Sequence, residues 1–219
     1  MKTIKVKISI PQDLSDITLR EYKKYDKILN ANTEDPNSER FLQLKMVEIF
    51  CGLTYEEAAG MTLVDFQRVI ETLVDILQQQ PKLVRTFKLG EREFGFIPNL
   101  EEMTFGEYID LDTYIGKIQE IEKAMAVLYR PIQKKVGDKY TIQAYEGDLL
   151  HETLLDMPMD AVVSSIVFFY HLGIDLSSVM MSYLPKEEIP EQLTGLVRSG
   201  VGINNFTQFQ REILGDLKK

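Results

Sequence analysis

The first pattern along the chain is a strict alternation of apolar and polar positions. Ile4, Val6, Ile8 and Ile10 interleave with Thr3, Lys5, Lys7 and Ser9, the period-two signature of a strand buried on one face. Pro11 ends it. Beyond that point the apolar spacing lengthens to the helical period, and three helix starts share one grammar. They are Ile17-Thr18-Leu19-Arg20-Glu21-Tyr22, Met61-Thr62-Leu63-Val64-Asp65-Phe66 and Met103-Thr104-Phe105-Gly106-Glu107-Tyr108. In each, the threonine side chain can accept the backbone N–H three residues on, and the acidic residue there can reach back to the threonine N–H, closing a capping box. Asp, one methylene shorter than Glu, does this less well. The residue before each threonine is placed to staple the aromatic at the fourth helical position. The starts are nearly evenly spaced, but the third follows a hairpin and not a helix, so shared capping grammar accounts for them better than an internal repeat.

Downstream, Phe66, Val69, Ile70, Leu73, Ile76 and Leu77 form one helical stripe. Tyr114, Ile118, Ile121, Met125 and Leu128 form another that Pro131 should stop. Residues 39–50 read as a helix closed by Gly52, followed by a capped turn at Thr54-Tyr55-Glu56-Glu57. Residues 84–98 read as strand, Gly90-Glu91 turn and strand, and a second β-like run covers 139–145. Met157-Pro158 fits a helix start, and the segment from there to Tyr183, apolar on most sides, predicts a central buried helix. Gly195 to Gly202 leads into a last helix capped at Asn204 or Asn205. The expected fold is mainly α (α+β): a helical bundle-like core with an N-terminal strand and a small β-hairpin. The expected organisation is a single compact α-rich domain over 1–219, with two lobes, 1–80 and 81–219, as the alternative.

Composition narrows the classes. The 219 residues are 44% hydrophobic and 27% charged, inside the range of chains that bury a core. With 25 Lys and Arg against 34 Asp and Glu, the net charge is −9. That balance disfavours nucleic acid, whose phosphates require clustered cations, and an anionic membrane surface. Cys51 is the only cysteine, which excludes an internal disulfide and a cysteine-based zinc site. It follows Ile49 and Phe50 in an apolar run, as a buried structural thiol would. The N-terminus lacks the apolar centre of a signal peptide, and the most apolar stretch, 161–174, is too short to span a bilayer. A cytoplasmic setting is expected.

Candidate chemistry is sparse. Glu101, Glu102, Glu107, Asp110 and Asp112 are the densest polar group. They lack the spacing and glycine of a calcium loop, and acidic residues are favoured in a first helical turn anyway. His151, among acidic neighbours, is expected to be exposed, and His171, after Phe168-Phe169-Tyr170, to be core or partly buried. No paired-histidine, triad or phosphate-loop motif is present, so no cofactor, metal or catalytic residue is assigned. The remaining candidates are aromatic and methionine patches for a protein partner: Phe94, Phe96, Phe105 and Tyr108, and Met180, Met181 and Tyr183. The plain reading of the same residues is core.

The segment from Asp16 to Leu77 resembles the tail assembly chaperones of tailed bacteriophages. It carries a β start, the phrase DITLREY, and MVEIFCGLTYEEAAGMTLVDFQRVIETLVDIL. In that class a helix leads through a Gly-Leu and paired-Glu passage into an amphipathic helix. Here the passage is Cys51-Gly52-Leu53-Thr54-Tyr55-Glu56-Glu57 through Asp65. Residues 94–132 are similar to segments of uncharacterised tailed-phage proteins. The resemblance implies a non-enzymatic function in the host cytoplasm, binding the tape-measure or tail tube protein. A structural virion component (neck, head-completion or cargo protein) is the principal alternative; a helical host-takeover adaptor and a small enzyme complete the field.

Overall fold

The computed structural model describes residues 8–32 and 38–183, with side chains described at all of these except 148 and 173–183. Most of the expected N-terminal strand and the final helix at Asn204 or Asn205 lie outside the described residues. Residues 8–10 lie in no strand. The chain is mainly α with a small antiparallel sheet, as its periodicity predicts.

Helix α1 (Leu19–Asn32) buries Leu19, Tyr22, Tyr25 and Leu29 on one face. Helix α2 (Glu39–Phe50) lies against it, burying Leu42, Met46, Val47, Ile49 and Phe50. It ends at Phe50, and Gly52 just beyond takes a φ of 64°, which is open to a residue without a β-carbon. The Leu53 N–H then returns to the Glu48 carbonyl at 3.0 Å, satisfying one of the carbonyls that every helix end leaves without a partner. Short helix α3 (Tyr55–Ala59) and helix α4 (Leu63–Leu77) follow, α4 burying Val69, Ile70, Leu73, Val74, Ile76 and Leu77.

Strands β1 (Thr86–Leu89) and β2 (Arg92–Phe96) form the expected hairpin, turning at Gly90 with φ 58°. Helix α5 (Phe105–Tyr114) and helix α6 (Ile121–Leu128) come next, then strands β3 (Tyr129–Val136) and β4 (Lys139–Ile142). The four strands pair antiparallel in the order β1-β2-β3-β4. The single stripe expected from Tyr114 to Leu128 is thus two helices, separated at 115–120 by a break containing Gly116 and a short tight turn. Pro131 does not stop a helix; the helix has already ended at Leu128, and Pro131 sits in β3 opposite Phe94. The β-rich character of Tyr129 to Val136 outweighs the helical period.

Helix α6 is deeply enclosed, with Ala124, Met125, Ala126, Val127 and Leu128 all fully buried. Short helix α7 (His151–Leu154) precedes helix α8 (Met159–Tyr183). The expectation of a central buried helix holds for 161–166 of α8. Val167 to Tyr170 are only half-buried, and His171 is exposed, where a core or partly buried position was expected. His151, expected to be exposed, is half-buried. The starts of α1 and α8 complete one another: Leu19 N–H donates to the Met157 carbonyl and Met159 N–H to the Ile17 carbonyl, each at 2.9 Å. Arg20 adds ion pairs to Asp156 and Glu152 across the same junction.

Capping boxes close at Thr18, Thr54 and Thr104, with the glutamate carboxylate on the threonine N–H at 2.7–2.8 Å. At Thr62 the side chain accepts the Asp65 N–H at 3.2 Å, but the Asp65 carboxylate takes the Thr62 hydroxyl and not its backbone N–H. The shorter acid leaves the box open, in line with the weaker closure expected of Asp. Among the described residues no helix is long and apolar enough to cross a membrane.

Candidate partner-binding surface on helix α5

The two faces of the sheet have different jobs. Side chains alternate across strands, so Phe94 and Phe96 share the inner face with Tyr129, which lies opposite Phe96. There Phe87, Phe94, Phe96 and Tyr129 pack ring on ring at 5.1–5.6 Å, and Phe168 of α8 meets Phe96 edge-on at 5.6 Å. Phe94 and Phe96 are therefore interior residues, not partner contacts. Their aromatic character serves the junction between sheet and α8, which a pattern of hydrophobic residues alone could not distinguish from a surface patch.

On the outer face, Arg130 stands opposite Gly95. The Tyr140 ring closes over Gly95 so tightly that a β-carbon there would sit 2.5 Å from it, and the Tyr140 hydroxyl donates to the Phe96 carbonyl at 2.8 Å. Burial raises the Tyr140 pKa.

Helix α5 is anchored to this face through its acidic side. Glu107 is buried: one carboxylate oxygen accepts the Thr104 N–H at 2.7 Å, and the other lies 2.9 Å from Arg130 Nη1. One turn on, Asp110 accepts the Tyr145 hydroxyl at 2.8 Å. Two of the five acids grouped as candidate chemistry, Glu107 and Asp110, thus hold α5 in place. Arg130 Nε, also buried, meets no acceptor among the described residues. Two open cavities of about 540 and 440 Å³ share Ile97, Pro98 and Asn99 in their walls, the second bordered by Thr104, Glu107 and Arg130.

With Glu107 and Leu111 turned inward, the opposite side of α5 faces solvent. Phe105 is 76% exposed, Tyr108 56% and Ile109 46%. These positions, i, i+3 and i+4, make one continuous apolar stripe. Tyr108, expected to be stapled by Met103, remains more than half exposed. Ile109 completes the patch that sequence assigned to Phe105 and Tyr108; its helical spacing from Phe105 was the available signal. A second exposed group, Tyr55, Leu63 and Val64, lies in the passage that carries the phage resemblance. Met180, Met181 and Tyr183 fall in the last turns of α8, and their side chains lie outside the described residues.

Among the described residues, no three His, Cys, Asp or Glu side chains converge as a metal ion would need. Cys51 is buried, and burial pushes its thiol pKa up to about 11, away from the reactive thiolate. No protein-family model, curated protein or solved structure matches the chain.

Proposed function

We propose that this protein is a non-enzymatic assembly factor that binds another protein, and specifically a phage tail assembly chaperone acting on the tape-measure or tail tube protein in the host cytoplasm. The observation that carries the binding role is the solvent-facing stripe Phe105, Tyr108 and Ile109 on a helix whose other face is fixed to the sheet. Fully burying one large apolar side chain is worth about 1.5–3 kcal/mol relative to leaving it in water, so three on one rigid helix supply a useful anchor for a partner. The tail-chaperone reading adds the resemblance over Asp16 to Leu77, whose Gly52-to-Asp65 passage presents Tyr55, Leu63 and Val64 to solvent.

A chaperone acts during assembly and leaves, whereas a neck, head-completion or cargo protein stays. Quantitative mass spectrometry of purified virions separates the two. The chaperone reading expects the protein in infected-cell lysate and not at stoichiometric level in mature particles; stoichiometric retention overturns it.

A further inference from the structure

We propose, building on the binding role above, that the α5 stripe receives an amphipathic helix flanked by lysine or arginine. The partner's chemistry follows from what surrounds the stripe. Residues 99–114 contain five acids, Glu101, Glu102, Glu107, Asp110 and Asp112, and no Lys or Arg. Two of the five are committed inward, Glu107 to Arg130 and Asp110 to the Tyr145 hydroxyl. Glu101 and Glu102 remain exposed before the stripe, and Asp112 beyond it at the next position on the same face. A partner carrying apolar residues at helical spacing would bury Phe105, Tyr108 and Ile109, while its cations would meet carboxylates at both ends.

The contrast with other exposed apolar residues sharpens the assignment. Lys45 lies over the Phe41 ring at 5.6 Å. Val136 directly follows Lys134 and Lys135, whereas Tyr55, Leu63 and Val64 lie beside Glu56, Glu57 and Asp65, with Arg68 paired to Asp65. A basic ligand approaching Phe41 or Val136 meets a like charge, whereas the charged residues within 99–114 are all carboxylates.

The test uses the full-length protein and two fluorescein-labelled 18-residue helical peptides. Both carry the same leucine face, one with lysine and the other with glutamate on the polar face. The lysine peptide is expected to bind at least tenfold more tightly than the glutamate peptide, with affinity falling as salt rises. Phe105→Asp combined with Ile109→Asp should weaken it at least tenfold, Glu101→Lys combined with Asp112→Lys should remove the preference between peptides, and Phe41→Asp should change neither. Circular dichroism verifies that the exposed-site variants are folded.

Absence of lysine-peptide binding, equal binding of both peptides, or binding indifferent to Phe105 and Ile109 overturns the inference. So does a dimer of the free protein dispersed by the stripe variant, which would make the occupant a second copy of this chain. These outcomes do not bear on retention in virions, so failure here is distinguishable from failure of the chaperone reading.

Discussion

Arg130 Nη1 lies 2.9 Å from Glu107 Oε1, and both side chains are more than nine-tenths buried. The pair joins a strand to a helix whose far side is the exposed stripe, while the second Glu107 oxygen closes the cap at Thr104. Breaking a buried pair leaves one charge without compensation, typically costing about 3–5 kcal/mol. Arg130→Met and Glu107→Gln should each lower stability markedly in chemical denaturation. The double variant should lose less than the sum, because neither charge is then stranded. Strict additivity would mean that the two groups are not coupled.

The capping geometry ranks two substitutions. Thr104→Ala removes a closed box and should cost about 0.5–2 kcal/mol. Thr62→Ala removes a cap that Asp65 does not close onto the backbone, so its cost should be the smaller. Thermal melts of the two variants check the order; equal or reversed losses would contradict it.

Gly95 makes a prediction about packing and not about backbone freedom. Adding a methyl there drives it into the Tyr140 ring, so Gly95→Ala should destabilise by about 1–3 kcal/mol, as overpacking does. In a Tyr140→Ser background the added cost of Gly95→Ala should fall, leaving the part imposed by Ile132 Cγ1, 3.0 Å from the added carbon. An undiminished cost in that background would place the main obstruction elsewhere.

Asp26 gives a pH dependence with a defined sign. Its side chain is fully buried on α1; one oxygen accepts the amides of Asn30 and Gln119, and the other meets no donor among the described residues. Burial raises its pKa, with the two amide hydrogen bonds opposing. A carboxyl whose folded pKa is raised contributes its full stability below the unfolded value, about 3.9, and loses it as pH rises through the folded value. Asp26→Asn should therefore melt higher than the wild type at pH 7, with the gain shrinking toward pH 4. A gain that grows on acidification would contradict the assignment.

How much of this was legible in sequence depended on whether a signal was local. Gly52, Gly90 and the threonine caps are short-range devices, and each stands where the pattern places it. Residues 39–50 form α2 as expected because their apolar spacing and closing glycine agree. The continuous helix expected from Tyr114 to Leu128 failed because the same stripe fits two shorter helices interrupted at Gly116. Phe94 and Phe96 fit a partner patch and the core alike, because aromatic character does not reveal which face of a strand another layer will cover. Conversely, Arg130 gives no local signal; its importance arises only when β3 carries it beneath Glu107. The stripe was half visible in Phe105 and Tyr108, and burial of Glu107 shows which side of the helix is left exposed.

The central proposal, that a tail protein is bound through the outer face of α5, is tested most directly by co-expressing this protein with a candidate tape-measure protein and measuring the soluble, co-purifying fraction. Wild type should keep the tape-measure protein soluble and in complex, and Phe105→Asp combined with Ile109→Asp should release it to the pellet although the variant itself stays folded. A tape-measure protein equally soluble and bound with the variant, or insoluble with the wild type, would contradict the account.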